Sequence, residues 1–212
     1  MRTKQVFSAY RHEDAAKESP YRYCPVCATH LRAPDDTALL HACPRCDWIH
    51  YHNPAPGVVA LIANGDRVLL GRRAKSSYGP GSWCLPGGFI EYHEDFLSAA
   101  RREVLEETGL IVEITSILSV MSNFLNPRHH TLVIVLEARI IAGEPLPGDD
   151  LVALDWFPVT GPFPEMAFEA DLNIIERYFH TNLKGIPVDS CYARPGATDS
   201  ESPPLISRCR RF

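Results

Sequence analysis

Two groups of residues in this 212-residue chain have the types and the spacing to do chemistry. The first is Cys24-Pro-Val-Cys27 with Cys43-Pro-Arg-Cys46. Each pair can turn two thiolates toward one point, and two pairs complete the closed four-sulfur set that structural zinc takes. Two disulfides, or a redox pair, are the competing readings of the same residues. The first twenty residues carry charges but no apolar stretch of the kind an export signal needs, which favours metal over disulfides. His30, His41, His50 and His52 lie close by, but four thiolates already close a tetrahedral site, so the histidines read as surface or packing residues. The second group is Glu94, Arg102, Glu103, Glu106 and Glu107. The last three are spaced i, i+3 and i+4, so they share one face of a helix, while Leu97, Ala100 and Val104 mark a separate apolar face. Carboxylates on adjacent turns repel one another, and hard divalent cations with oxygen ligands relieve that repulsion. A solvated acidic face is the plainer explanation of Arg-Glu-Val-Leu-Glu-Glu taken alone.

Several elements must position these side chains. Residues 58–63 form an apolar run, Asn64-Gly65-Asp66 a turn and residues 67–71 a second run, which together predict a hairpin. Residues 74–88 are rich in loop formers. A helix is predicted from Phe96 to Thr108, with Asp95 as N-cap and Gly109 just past its end. Residues 113–121, 131–142 and 154–158 read as strands, and Ala167, Ala170, Ile174 and Tyr178 have the spacing of a second helix over 165–180. Residues 1–20 and 181–212 have no periodicity and are expected to be flexible ends. Strands, a helix, strands and a helix after a small cysteine module predict an α/β fold with a mixed sheet between helices.

The net charge is -5, but its distribution is uneven: residues 88–180 carry -11, while residues 1–87 carry +4 and residues 181–212 carry +2. The cysteine module, 21–52, is neutral in net charge, a poor footprint for a nucleic-acid partner. Apolar residues make up 45%, enough for a packed core, and no apolar run is long enough to span a bilayer. Those observations predict a cytoplasmic protein. Cys84 reads as a small apolar filler, and Cys191 and Cys209 fall in the tail.

The whole pattern from Gly88 resembles the signature of the Nudix hydrolases. It runs Gly88, five residues, Glu94, seven residues, then Arg102-Glu103-Val104-Leu105-Glu106-Glu107-Thr108-Gly109-Leu110. The preceding Gly79-Pro-Gly-Ser-Trp-Cys-Leu-Pro-Gly-Gly88 and Arg72-Arg73 are also similar to that family. The resemblance implies a Nudix fold over 57–180, preceded by a zinc ribbon at 21–52. It implies hydrolysis of a nucleoside diphosphate linked to another group, with about two or three Mg²⁺ or Mn²⁺ ions in the site. Glu103, Glu106, Glu107 and the Gly88 carbonyl would hold those ions, and one structural Zn²⁺ would sit on Cys24, Cys27, Cys43 and Cys46. Glu94 and Arg102 would support the ligands, and Asp150 would add a further acid, with Asp149 or Glu137 as substitutes. It also implies a homodimer.

Ribbon and domain together are similar to the NADH, ADP-ribose and FAD pyrophosphatases. The stretch that NADH-specific members carry after the signature is not matched by Ser119–Pro127, which favours ADP-ribose or FAD over NADH. A non-catalytic Nudix-like nucleotide sensor and a zinc-ribbon nucleic-acid binder are the competing readings of other classes, and isoprenoid diphosphate isomerisation is a related non-hydrolytic option on the same fold. One of the adjacent pair Arg72 and Arg73 should point to the site and contact phosphate. Phe124 and Arg128, with His129 and His130, could stack on a base or touch phosphate; Phe124 as core and the histidines as a polar loop fit the residues equally.

Overall fold

The computed structural model describes residues 4–15, 21–31, 40–75, 77–189 and 192–193. They form two compact units. The larger holds the described residues up to Phe7, Pro56–Asn123 and those from Leu132 onward; the smaller holds Ser8–Ala55 and Phe124–Thr131. In chain order the strands and helices are β1 (Val6–Ser8), β2 (Leu40–Ala42), β3 (Ile49–Tyr51), β4 (Ala55–Asn64), β5 (Arg67–Arg73), β6 (Trp83–Cys84), α1 (Phe96–Thr108), β7 (Leu110–Asn126), β8 (His129–Gly143), β9 (Leu151–Pro158), α2 (Glu169–His180) and β10 (Ile186–Pro187). The mixed main sheet runs β1-β7-β8-β4-β5-β6, with β9 also on β5 and β10 also on β7.

The β4 run is apolar throughout because both of its faces are covered. Val58, Ala60 and Ile62 pack with Leu97, Ala100 and Val104 of α1. Their neighbour Leu61 packs with Ala170, Ile174 and Ile175 of α2. β5 alternates in the same way, Leu69 toward α1 and Val68 and Leu70 toward α2. Period-two alternation thus divides one set of strands between two cores, one under each helix. The β4–β5 hairpin closes at Asn64↔Arg67, where Gly65 takes a φ of 61° that a side chain would resist.

Helix α1 has the predicted ends. Asp95 accepts from the backbone N–H groups of Leu97 and Ser98 at 2.8 and 3.0 Å, and Gly109 is left-handed at φ 68°. Such a carboxylate cap contributes about 1 kcal/mol. Helix α2 begins later than the spacing predicts. Residues 165–167 pair with β6 instead, Trp83 N–H donating to the Glu165 carbonyl and Ala167 N–H to that of Trp83, both at 2.8 Å. Those backbone bonds compete with the first helical turn and win.

Parts of both expected loose ends are ordered. Phe7 is buried in the α2-side core, and Ser122 N–H donates to the Gln5 carbonyl at 2.9 Å. At the other end Ile186 pairs with Ile117, and Ala193 accepts from Ile114 N–H at 3.0 Å. β7 is a 17-residue strand whose outer N–H and C=O groups need partners, and these short segments supply them. Cys191 and Cys209 lie outside the described residues.

The smaller unit has little core of its own: Cys24, Leu31 and Cys43 are buried, with Cys27, Cys46 and Trp48 against them. β2 and β3 form an antiparallel pair. Trp48, His50 and His52 stack in succession, and His30 meets Tyr23 edge-on. These three histidines therefore pack on aromatic rings. Among the described residues no helix is long and apolar enough to cross a membrane.

Candidate active site

Helix α1 buries the stripe Ala100, Glu103, Val104 and Glu107, an i, i+3, i+4, i+7 set. Two of the three signature carboxylates therefore lie on the covered face, not on a separate polar one. Glu103 is 8% exposed and Glu107 2%. Burial raises the pKa of both, and that of Glu107 to about 8, although the Gly87 N–H donates to its Oε2 at 2.7 Å. A carboxylate pushed up by burial is one whose negative charge lacks compensation, which a cation would supply. Glu106, one turn from Glu103, is half exposed.

The Leu85–Gly88 segment closes over that face. A Cβ on Gly88 would come within 2.5 Å of the Glu103 carboxylate, so the approach requires glycine. The Gly88 carbonyl accepts from Val58 N–H at 2.9 Å, which leaves one lone-pair direction for an ion. Arg102 ties the signature together. Its Nε and Nη2 donate to the two oxygens of Glu94 at 3.1 and 2.6 Å, and Nη1 donates to Glu103 and Glu106 at 2.9 and 3.0 Å. Nη2 also donates to the Phe89 carbonyl at 3.1 Å. The Arg102 hydrogen bonds hold Glu94 below the usual carboxylate range.

Asp149 and Asp150 lie close enough to act electrostatically on Glu103 and Glu107 respectively, raising both. Asp150 Oδ2 is 3.7 Å from Arg73 Nη2. Glu137 is committed elsewhere: Ser116 Oγ donates to it at 2.8 Å, and the Tyr178 hydroxyl donates to its other oxygen. Of the adjacent arginines, Arg72 is exposed. Arg73 turns inward, donating through Nε to the Tyr78 carbonyl at 2.6 Å, with its guanidinium 5.5 Å from the Phe168 ring centre. Its charge lowers the Glu107 carboxyl. Phe124 and Arg128 belong to the smaller unit. There Phe124 meets His130 edge-on, Tyr10 stacks on and hydrogen-bonds the same imidazole, and Arg128 N–H donates to Asn126 Oδ1 at 3.0 Å within a turn.

The four thiols converge. Their sulfurs all lie within 4.8 Å of one another, with Cys24–Cys46 at 3.6 Å and Cys27–Cys43 at 3.5 Å. Those separations are far beyond a disulfide bond of about 2.05 Å. They approach the roughly 3.8 Å edge of a tetrahedron with metal–sulfur bonds near 2.3 Å. Four soft donors with no open position fit a structural zinc. The carboxylates and the backbone oxygen of the larger unit are the hard donors that Mg²⁺ or Mn²⁺ takes.

The NUDIX domain family model matches residues 52–178. The chain belongs to the NUDIX family. Among curated relatives of this NUDIX protein, the ADP-ribose pyrophosphatase of Methanocaldococcus jannaschii is 36% identical over 129 residues, covering 60% of this chain and 75% of the relative. The NAD-capped RNA hydrolase NudC of Pseudomonas aeruginosa is 31% identical over 137 residues, 64% of this chain and 47% of that protein. The chain thus spans about half the length of the NudC relatives it matches. The crystal structure of a NUDIX hydrolase from Nitrosomonas europaea superposes with a TM-score of 0.63 at 28% identity, covering 78% of this chain and 96% of that one. The family and these relatives support a Nudix pyrophosphohydrolase.

Sequence reasoning did not single out three further residues around this candidate site. Gly87 donates to Glu107 from the residue before the signature. Phe168 lies under Arg73, 95 positions away in the chain. Asp171, 3% exposed on α2, accepts from Leu85 N–H at 2.9 Å. An acidic residue in a first helical turn reads as a surface charge, so no local signal marked Asp171 as buried.

Proposed function

We propose that this protein hydrolyses the pyrophosphate bond of ADP-ribose or of a dinucleotide such as FAD, releasing AMP. The observation that carries the reading is the Glu103, Glu106 and Glu107 set, gathered by Arg102 and faced by Gly87 and Gly88. Glu103, Glu106, Glu107, Gly88 and Asp150 would hold the divalent ions; Cys24, Cys27, Cys43 and Cys46 would hold one zinc. Bound Mg²⁺ or Mn²⁺ supplies positive charge that neutralises the pyrophosphate oxygens and activates water for attack on phosphorus. Arg102, fixed by Glu94, keeps Glu103 and Glu106 from swinging apart. Arg73, beside Asp150, is the cation placed to meet phosphate. Water adds to phosphorus, the bridging P–O bond breaks, and a signature carboxylate takes the water's proton. Residues 21–52 act as a zinc ribbon and 57–180 as the catalytic domain, in a cytoplasmic homodimer.

An NAD-linked substrate is the second reading, favoured by the likeness to NudC. Release of AMP from ADP-ribose, FAD, NADH and diadenosine polyphosphates, with and without Mg²⁺ or Mn²⁺, tests both. Metal-dependent turnover is expected with ADP-ribose or FAD ahead of NADH. NADH as the best substrate would reverse that order, and no hydrolysis of any member would favour a nucleotide sensor.

A further inference from the structure

The turn that faces the carboxylates is held from several directions. Ala60 N–H donates to the Pro86 carbonyl at 2.8 Å and Val58 N–H to that of Gly88 at 2.9 Å, both from β4. Gly87 N–H reaches Glu107 on α1 at 2.7 Å. A further attachment comes from the opposite face of the sheet. Leu85 is 1% exposed, and its N–H donates to Asp171 Oδ2 at 2.9 Å, across 86 positions of sequence.

Asp171 is the third residue of α2, close to the N-terminal end where helix N–H groups favour negative charge. A carboxylate is an expensive way to satisfy one buried backbone donor, since an amide or hydroxyl would desolvate at lower cost. The family signature does not include this position, and among the described residues Asp171 makes no hydrogen bond to the signature helix or its arginine. Its carboxylate also interacts electrostatically with Arg73, so the Asn variant, which keeps the oxygen and loses the charge, separates that route from the one through Leu85.

The clearance at the far end of that linkage is small. A Cβ on Gly87 would sit 2.2 Å from the Val58 carbonyl oxygen, and one on Gly88 2.5 Å from the Glu103 carboxylate. Backbone packed this tightly responds to a displacement of a few tenths of an ångström. Movement at Leu85 would therefore alter the Gly87 N–H bond to Glu107 and the seat of Glu103 together.

We propose that Asp171 is a positioning residue for the divalent-ion site: from α2 its carboxylate fixes the Leu85 backbone and so sets the Pro86–Gly88 turn against Glu103 and Glu107. The inference rests on the carboxylate site assigned above and deepens it. Groups that orient ligands in this indirect way typically change metal affinity about 10- to 100-fold when removed.

The test is a Mn²⁺ titration of the full chain followed by water-proton relaxation, with kcat and KM measured at each metal concentration. Asp171→Ala should bind Mn²⁺ about tenfold more weakly and lose about tenfold in kcat at subsaturating metal, with KM for the nucleotide within twofold. Asp171→Asn keeps an oxygen for Leu85 and should stay within threefold of the parent in both. If Asp171→Ala does not fold, Asp171→Leu, which keeps the branched shape but offers no acceptor to Leu85, gives the same readout. Unchanged Mn²⁺ affinity in the folded Ala or Leu variant, whatever its melting temperature, overturns the proposal; so does an Asn variant as weak as Ala. If the parent chain binds Mn²⁺ but hydrolyses no nucleotide, the proposed function fails, while the relaxation titration still decides the role of Asp171.

Discussion

The two candidate metal-ligand sets differ in how closely their donor atoms converge. Among the described residues, the four thiols are the one group of three or more ligand atoms that all lie within 4.8 Å of one another. The carboxylates of Glu103, Glu106 and Glu107 do not converge in that way, although they sit on one helix and are braced by Arg102. The chemistry explains the difference. Four thiols can share a single negative charge, Cys27 drawn down to about 6 and Cys46 pushed up to about 12, whereas carboxylates on adjacent turns repel and here share an arginine. The support is reversed. Among the described residues, the apolar side chains packed with the thiols are Leu31 and Trp48, so a bound ion would be needed to hold the unit together. The carboxylates stand on a helix packed against a full sheet, which would keep its fold without any ion.

That contrast can be broken in four places. Removing zinc with a strong chelator, or replacing Cys43 with Ser, should unfold the smaller unit and leave the larger folded. Structural zinc in such modules is worth about 10–16 kcal/mol, so the loss should be complete. Hydrogen exchange read segment by segment would show it, and retained protection across 21–52 would mean the thiols are held by packing. Glu106→Gln or Glu107→Gln should lower kcat about a thousandfold or more with no loss of melting temperature, the inverse pattern. A variant of near-parental activity would remove these carboxylates from the ion site.

The third place is the buried charge under the carboxylate site. Burial raises Asp171 to about 7 from an ordinary value of 3.8, with Leu85 N–H and the Arg73 charge pulling it back and the Cys84 thiol beside it. A carboxyl whose folded value is raised contributes stability that is full below about pH 4 and is lost as pH rises through about 7. Asp171→Asn removes that loss. In urea titrations of the metal-free chain, the variant should gain on the parent by about 2–4 kcal/mol between pH 4 and pH 8. A gap that stays constant with pH would show that Asp171 is not buried as a charge. The smallest effect belongs to Asp95→Ala, about 1 kcal/mol of stability with activity falling only as α1 frays. A larger loss of activity than of stability would give the cap a direct part in the site.

What was legible in the sequence was local. The cysteine pairs, the i, i+3, i+4 carboxylates, both ends of α1 and the first hairpin are each specified within a few residues, where spacing and propensity decide. The extents of β7 and β8, the late start of α2 and the ordering of residues 186–187 were not legible, because strand pairing between distant segments decided them. Glu137 shows the limit most plainly. On chain order alone it could substitute for Asp150, and only the pairing of β7 with β8 and the packing of α2 give it to Ser116 and Tyr178.

Residue type and spacing thus determined which groups could act: thiols in two pairs, carboxylates on one helix, an arginine one residue before the first of them. Tertiary structure decided what state those groups are in. Glu107 is buried because the sheet and the Leu85–Gly88 turn cover that side of α1, Arg73 rather than Arg72 turns toward Tyr78 and Phe168, and Asp171 meets Leu85 across the sheet. Spacing along a chain reports which residues share a face, while desolvation and long-range hydrogen bonds depend on what is packed against that face.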